Sequence, residues 1–373
     1  REGWGDLVSG LIVGARNMIG IACATAAAGI VVGTVTLTGI GQVMAEFVEF
    51  LSGGNIFLIL VFTAIISLIL GMGLPTTANY IVVSSLMAPV IVELGAANGY
   101  LIPLIAAHLF VFYFGIMADV TPPVGLASFA AAAISGGDPL RTGAVAFFYS
   151  LRTVLLPFIF VFNTDLLLID VTWLEGIIVF VVALFAMLLF GAATQGWFLT
   201  RSRLWESAAL LLVTVMLLRP GFFLDQVQPP WQALPSGAFF ETVEALPDHA
   251  TIRVNITGPD FDDPEMMRER TMAFDLGEAG APGDLRFEQA TGLMVIEMDG
   301  LLTLEEPFNP NDPVARALRN MDFYTDPPVI IESVEIAAEQ MPREVVWIPA
   351  LLILGLVWFL QARRSGKVNP LTA

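Results

Sequence analysis

Charged residues are scarce in this sequence. They make up 14% of its 373 residues, whereas soluble domains contain about 25%. Apolar residues make up 56%, and the mean hydropathy is +0.76. This composition excludes an ordinary soluble domain and predicts a membrane protein with several spans. The chain starts at Arg1 with no recognisable signal peptide, so we expect it to come from a longer polypeptide.

Reactive side chains are equally rare. Cys23 is the single cysteine, which excludes a disulfide within the chain. The histidines, His108 and His249, lie far apart, and the sequence lacks the Gly-x-Ser-x-Gly and His-Glu-x-x-His motifs of hydrolases and zinc enzymes. We therefore predict that the protein is not an enzyme, has no cofactor and binds no metal apart from a coupling ion.

Acidic residues concentrate in one segment. Residues 225–343 contain 23 Asp and Glu against 7 Arg. This acidity disfavours binding to nucleic acid and to anionic lipid, and it indicates a separate domain in water. Residues 260–263 are acidic, but they lack the spacing of a calcium-binding EF-hand loop. Polar and apolar residues alternate in parts of the segment, which predicts a small β-rich α+β domain. The predicted strands are 251–257, 293–298 and 329–334, and a short helix is predicted from Asp312-Pro313 to Asn320.

The rest of the sequence is dominated by apolar runs, and crossing a bilayer takes about 17–25 residues. The runs that we predict to span are residues 9–36, 55–73, 101–117, 143–163, 176–195, 203–220 and 345–361. Two shorter runs, 78–95 and 123–135, are predicted to form half-helices or hairpin arms. Residues 39–52 are predicted to form an amphipathic or interfacial helix.

The positive charges orient these spans, because Arg and Lys favour cytoplasmic loops. Arg201 and Arg203 lie between two spans, and Arg363 and Arg364 follow the last one. With both groups in the cytoplasm, the segment 221–343 lies outside and the C-terminus inside. We therefore predict an all-α polytopic membrane protein with discontinuous helices and hairpins, plus one extramembrane α+β domain. The predicted segments are 1–170, 171–220, 221–343 and 344–373.

Two stretches interrupt the apolar runs, LGMGLPTT at 70–77 and ADVTPPVG at 118–125. A helix does not continue straight through Pro-Pro, and lipid does not satisfy the carbonyl groups that a break exposes. Paired breaks of this kind are typical of discontinuous helices around the ion or substrate site of a transporter. Glycine allows close backbone approach, threonine offers hydroxyl groups, and proline prevents rewinding. These residues are Gly71, Gly73, Thr76, Thr77, Thr121, Pro122 and Pro123.

Asp119 is an ionisable residue within the second break. Several roles stay open for it: binding a cation, carrying a proton, contacting a substrate, or a structural role as a helix cap or as a hydrogen-bond partner of the unwound turn. His108 precedes it in the predicted span 101–117. This histidine either packs with one hydrogen bond or relays protons, because histidine titrates near neutral pH.

The second break also carries a family resemblance. The stretch 118–125 resembles a motif in the large membrane subunit of TRAP transporters, the tripartite ATP-independent periplasmic transporters. Its Ala-Asp-x-Thr-Pro-Pro pattern is most similar to the TAXI branch, whose permeases are commonly fused. Residues 175–373 resemble the C-terminal extension of some fused TAXI permeases. The other residues that carry the resemblance are Ala127, Phe129, Gly137-Asp138-Pro139, Arg141-Thr142-Gly143, and the stretches 71–80 and 156–161.

This resemblance implies a fold and a function. The fold is an elevator-type transporter with inverted repeats, of which this chain holds the second and an N-terminal half of the same polypeptide the first. The function is sodium-coupled uptake of small organic acids (carboxylates), delivered by a periplasmic TAXI-type substrate-binding protein. The implied location is a bacterial inner membrane, and the implied partners are that binding protein, the N-terminal half and the lipid bilayer.

The resemblance also implies where the coupling ion binds. Sodium ligands, mostly backbone carbonyl oxygens, fall on Gly71, Gly73, Thr77, Ala118, Thr121 and Val124. The ion or substrate pathway includes Thr76, Asn79, Asp119, Pro122 and Pro123. Two alternatives stay open. One is proton coupling through Asp119 and His108, and the other is a membrane-anchored periplasmic sensor or scaffold built around the acidic domain.

Overall fold

The chain forms two compact units. The first unit comprises Arg1–Leu94 and Pro103–Phe158, and the second comprises Gly95–Ile102 and Ile159–Ala373. The computed structural model describes residues 2–72, 76–122, 125–169, 171–298, 300–310 and 312–365.

The first unit is helical. Local sequence sets the starts of two of its helices: the Asn55 side chain accepts hydrogen bonds from the N–H groups of Phe57 and Leu58, and Asp138 caps the helix that opens with Pro139. The helices that begin in this unit are α1 Glu2–Thr38, α2 Ile40–Ser52, α3 Ile56–Gly71, α4 Thr76–Ala97, α5 Leu104–Met117, α6 Leu126–Ser135, α7 Pro139–Tyr149 and α8 Leu151–Phe162.

Helices α3 and α5 pack against each other and form part of the core of the first unit, to which α4 adds buried residues such as Val83, Met87 and Ile91. Phe158 of α8 adds to this core, with its ring centroid 5.3 Å from that of Phe110 and 5.8 Å from that of Phe114. These rings meet nearly edge to face, an arrangement that favours aromatic pairs. The buried apolar residues of α3 and α5 are Ile59, Leu60, Ala64, Ala106, Ala107, Phe110, Val111, Phe114 and Met117.

The second unit combines helices with an antiparallel sheet. Its helices are α9 Trp173–Thr194, α10 Leu204–Leu218, α11 Pro220–Leu224, α12 Phe239–Ala245, α13 Gly283–Thr291, α14 Pro313–Leu318 and α15 Trp347–Ser365, the last preceded by a 3-10 turn at Arg343–Val346. Helix α10 packs against both α9 and α15. The buried Glu206 of α10 pairs with Arg364 at 2.8 Å and accepts a hydrogen bond from Gln361 at 2.9 Å. These bonds hold the end of α15 to the start of α10.

The sheet has the strand order β3-β2-β6-β5-β4, with β1 also paired to β6. Burial alternates along β2, so Ile252, Val254 and Ile256 lie in the core. The α+β domain and the three strands predicted from alternation are therefore confirmed, and the helix that opens with Asp312-Pro313 ends at Leu318 rather than Asn320. The strands are β1 Trp231–Pro235, β2 Thr251–Pro259, β3 Met267–Asp275, β4 Val295–Met298, β5 Leu301–Leu304 and β6 Ile330–Ala337.

Some of the predicted membrane spans are helices long enough to cross a bilayer, and others are helices shorter than predicted. Within the described ranges, α4, α9 and Arg343–Arg364 are long and apolar enough to cross a membrane, and α7 with α8 passes the same test as one span bent by 40°. The spans predicted at 55–73, 101–117 and 203–220 correspond to the shorter helices α3, α5 and α10. The prediction of a half-helix at 78–95 is wrong. Helix α4 continues over 22 residues, and Pro89 does not interrupt it.

The loop between α4 and α5 belongs to the second unit. The guanidinium carbon of Arg253 on β2 lies 4.9 Å from the ring centroid of Tyr100 in this loop and 4.1 Å from that of Trp231. A Cβ on Gly99 would lie 3.3 Å from Cγ2 of Thr271 on β3. The loop therefore packs on the β2–β3 hairpin through cation–π and close backbone contacts.

The acidic turn at 260–263 is closed by its own hydrogen bonds. The Asp260 carboxylate accepts from the N–H groups of Asp262 and Asp263 and pairs with Arg268. Donation by the Asp262 N–H lowers the pKa of Asp260, desolvation opposes this effect, and Arg268 adds to the lowering. The described part of the chain contains no group of three His, Cys, Asp or Glu side chains suited to a metal ion. The turn is thus closed by hydrogen bonds from its own backbone and by the ion pair with Arg268.

Arg286 of α13 is fully buried in the sheet domain. A buried charge without a counter-ion is tolerated only when its donors are paired. Here the guanidinium donates to five backbone carbonyl groups at 2.7–3.3 Å, so it fastens the end of α12 to the end of β3. The acceptors are Val243, Leu246, Pro247, Leu276 and Gly277.

Arg286→Lys is expected to destabilise the sheet domain by about 3 kcal/mol, because an ammonium group leaves at least two of these carbonyl groups unpaired at about 1–3 kcal/mol each. Thermal unfolding of the purified protein measures the effect. Glu288→Gln on the exposed side of the same helix, α13, is the control and should leave the melting temperature unchanged. Equal melting temperatures for both variants would show that Arg286 does not hold the domain together.

Candidate functional site

The first break begins where α3 ends. Gly71 is the last residue of α3, and the N–H of the following residue, Met72, donates to the carbonyl of Ile69 at 3.3 Å. A Cβ on Gly71 would lie 2.7 Å from the carbonyl oxygen of Gly115 on α5 and 2.8 Å from Nδ2 of Asn79 on α4. Both distances are below van der Waals contact, so only glycine fits where α3 meets these two helices.

Asn79 joins the helices on either side of the two breaks. It is 1% exposed, and its Nδ2 donates to the Gly115 carbonyl at 2.7 Å. This bond fixes the orientation of the amide, so Oδ1 is the atom of this side chain that remains to accept a hydrogen bond. No residue that the structure describes donates a hydrogen bond to this buried Oδ1. Ala118 is also close, with its Cβ 3.1 Å from the position of a Cβ on Gly71.

The second break folds back on itself. The hydroxyl and the N–H of Thr121 both donate to the Met117 carbonyl, at 2.6 and 3.0 Å. The carbonyl of Asp119 accepts from the N–H of Ala127 at 3.0 Å, and that of Thr121 accepts from the N–H of Gly125 at 3.1 Å. The start of α6 thus satisfies carbonyl groups that the break exposes, as burial in an apolar environment requires.

The remaining predicted residues are distributed around these contacts. Thr76 and Thr77 are exposed at the start of α4, and Pro122 is half-buried, with its Cγ 3.2 Å from the position of a Cβ on Gly143. Three predicted residues, Gly73, Pro123 and Val124, lie outside the described residues. The structure therefore brings together Gly71, Asn79 and Ala118, with Thr121 following at the end of α5.

The two ionisable candidates have different surroundings. Nδ1 of His108 lies 3.0 Å from the hydroxyl of Tyr80, the residue after Asn79 on α4. Asp119 is half-buried, and its carboxylate takes part in none of the hydrogen bonds or ion pairs found among the described residues. His108 is thus connected to α4 rather than to Asp119.

Two polar residues of α3 were missed by the sequence analysis. Thr63 and Ser67 are completely buried, and their hydroxyl oxygens have no hydrogen-bond partner in the described ranges. Thr63, Ser67 and Gly71 follow one another at intervals of four residues, so they share one face of the helix. This spacing is visible in the sequence. That the face is buried follows only from the packing of α3 on α5, which the sequence does not show.

Two family models divide the chain between them. Residues 1–174 match the DctM component of the tripartite ATP-independent periplasmic transporters. Residues 176–367, more than half of the chain, match the domain of unknown function DUF3394. The chain belongs to the DUF3394 family. No curated protein and no solved structure matches it.

The DctM match agrees with the resemblance to TRAP transporters that rests on the two breaks. Both breaks, with Asn79 and the polar face of α3, lie in the DctM-type segment of this DUF3394 protein. The DctM component is part of a transporter rather than an enzyme. The TAXI branch and the fusion of subunits stay predictions.

Gly71→Ala is expected to destabilise the first unit by about 1–3 kcal/mol, because its methyl group would overlap the Gly115 carbonyl and force α3 away from α5. The melting temperature of the purified protein measures this effect. Gly191→Ala in α9 is the matched control, since a Cβ there meets no atom within 4 Å. A Gly71→Ala protein as stable as the Gly191→Ala protein would contradict the close packing at Gly71.

Proposed function

We propose that this chain supplies the second inverted repeat of a sodium-coupled secondary transporter for small organic acids. The DctM match supports a multi-pass inner-membrane transporter of organic acids. Proteins of the DctM family work with a periplasmic substrate-binding protein and a small DctQ subunit. In our proposal the binding protein is of the TAXI type, and the substrate crosses the membrane by an elevator movement of the helices around the breaks.

The observation that carries sodium coupling is the unpaired Oδ1 of Asn79. A buried acceptor without a donor costs about 1–3 kcal/mol, and a bound cation would remove this cost. Asparagine carbonyl oxygens are ligands for hard cations. The C-terminal ends of α3 and α5 also meet at Asn79, and each adds partial negative charge. Neutral oxygens with helix ends thus create a cation site without the cost of a buried carboxylate.

The buried hydroxyl groups of α3 extend this site. Thr63 and Ser67 lie two turns and one turn before Gly71 on the same face, and both oxygens lack a partner among the residues described. Hydroxyl oxygens are hard ligands and also bind water. We propose that this face and Asn79 form the route by which sodium reaches the ligands predicted around Gly71, Ala118 and Thr121.

Topology follows from the charges. We propose that residues 221–343 are periplasmic and that the C-terminus is cytoplasmic, because Arg363 and Arg364 end the last span and favour the cytoplasm. The segments 1–170, 171–220, 221–343 and 344–373 then serve as transport repeat, additional helices, accessory domain and final span. An acidic accessory domain is compatible with water but not with anionic lipid.

Proton coupling is the second candidate. The hydrogen bond between His108 and Tyr80 favours it, because it links a titratable side chain on α5 to the helix that carries Asn79. Asp119 is the other residue that this alternative requires. A membrane-anchored sensor or scaffold is the third candidate, and the buried polar face of α3 has no use in such an anchor.

Uptake by the full-length protein in liposomes, with its binding protein and labelled carboxylates, separates the first two candidates. We expect an inward sodium gradient to drive uptake, and a proton gradient at equal membrane potential not to do so. Uptake that follows the proton gradient alone would overturn sodium coupling and move the role to His108 and Asp119. No uptake under either gradient, with a folded protein, would favour the sensor or scaffold.

Ser67→Ala and Asn79→Ala are expected to raise the sodium concentration for half-maximal uptake about tenfold, the effect of losing about 1.4 kcal/mol of ion binding. Ser85→Ala is the matched control on α4, because the Ser85 hydroxyl already donates to the Val82 carbonyl at 2.9 Å. A merely structural role for Ser67 and Asn79 would lower the rate and leave the sodium dependence unchanged.

A further inference from the structure

A cavity of about 490 Å³ lies in the DUF3394 part of the chain, within the second unit. It lies where the start of α9, the end of α10 and the approach to α15 meet. Its volume is within the range of about 300–1,000 Å³ that is usual for small-molecule sites. No step of the transport proposal uses this cavity, so its occupant is a separate question.

One side of the cavity is apolar and belongs to membrane helices. Ile178 and Val182 line it from α9, and Leu217 lines it from α10. Helix α9 and the segment Arg343–Arg364 are long and apolar enough to cross a membrane. The cavity lies at the starts of these two helices and at the end of the antiparallel α10, hence at one membrane surface. Tryptophans at both starts, Trp173 and Trp347, are typical of such an interface.

Two buried polar atoms of the lining have no partner. Asn163 donates from Nδ2 to the Leu218 carbonyl at 2.6 Å, which leaves its Oδ1 as an acceptor without a donor. The indole Nε1 of Trp347 is a donor without an acceptor among the described residues. A molecule that offers both an N–H donor and a carbonyl acceptor would satisfy both atoms.

The charged residues at the rim of the cavity restrict the charge of a molecule that binds there. Arg343 and Asp165 form an ion pair at 2.6 Å, so their charges offset each other. Glu175 and Glu344 add two further carboxylates. Glu175 accepts hydrogen bonds from the N–H and the hydroxyl of Thr172, but both carboxylates keep their negative charge, so an occupant with a net negative charge, such as the organic acids proposed as transport substrates, is disfavoured. A head that carries an ammonium group fits this rim.

We propose that the cavity binds one phospholipid of the ethanolamine type. Its ammonium group lies among Glu175, Glu344 and Asn163, to which it donates hydrogen bonds. Its phosphate lies on the side of the rim where Arg343 stands, and an ester carbonyl accepts from Nε1 of Trp347. One acyl chain covers the apolar side formed by Ile178, Val182 and Leu217. The membrane beside α9 and α15 is the source of the lipid, and its binding joins three helices of the DUF3394 part at one surface.

The choice of headgroup gives a sharp test. Phosphatidylcholine has the same net charge as phosphatidylethanolamine, but its quaternary ammonium has no N–H to donate to Asn163. Native mass spectrometry of the full-length protein, delipidated and then supplied with each lipid, measures the affinities. We expect phosphatidylethanolamine to bind at least tenfold more tightly than phosphatidylcholine or phosphatidylglycerol. Equal binding of the ethanolamine and choline lipids would overturn the proposal.

Two variants locate the site. Trp347→Phe keeps the aromatic ring and removes the Nε1 donor, and we expect it to weaken ethanolamine-lipid binding about tenfold. Trp358→Phe is the matched control on the same helix, since Trp358 is exposed and does not line the cavity. Val182→Trp fills the cavity and should abolish binding. An effect of Trp347→Phe equal to that of Trp358→Phe would show that the lipid binds elsewhere, and this comparison stands even if Val182→Trp does not fold.

Discussion

The hydrogen bond from Asn79 to the Gly115 carbonyl is the interaction on which the DctM-type segment depends. It connects α4, which follows the first break, to α5, which precedes the second break. In an apolar environment such a bond has no competition from water, and losing it would leave a buried amide and a buried carbonyl unpaired. Gly71 and Gly115 lack side chains where the amide lies, and this absence allows the three helices to meet.

The same constraint explains which oxygens remain for an ion. The backbone of the second break is largely satisfied by the protein, because the start of α6 donates to Asp119 and Thr121. The first unit retains buried oxygens without donors at Thr63, Ser67 and Asn79. In a membrane protein, each such oxygen lowers the stability of the folded state unless a ligand binds to it. The sodium coupling that we propose therefore depends on side-chain oxygens of α3 and α4 as much as on the carbonyl groups of the breaks.

Sequence patterns predicted the parts of the structure that depend on local chemistry. Alternation over 251–257 gave β2, and Asp312-Pro313 gave the start of α14, because pleating and capping act within a few residues. Features that depend on packing were not predictable. The polar face of α3 is recognisable only once α3 is seen to pack on α5. In the sequence, Arg286 looks like an ordinary surface charge. The cavity proposed to bind a lipid combines residues from four separate parts of the chain. Gly115 carries no local signal at all, although its carbonyl anchors Asn79.

The most direct test of this account is the thermal stability of the purified full-length protein in sodium chloride and in potassium chloride at the same ionic strength and pH. A ligand that binds only the folded state raises the melting temperature in proportion to the logarithm of its concentration well above its dissociation constant. The account predicts a higher melting temperature in sodium, with the difference lost in Asn79→Ala and kept in Ser85→Ala. Equal stability in both salts, or a sodium effect that survives Asn79→Ala, would contradict it.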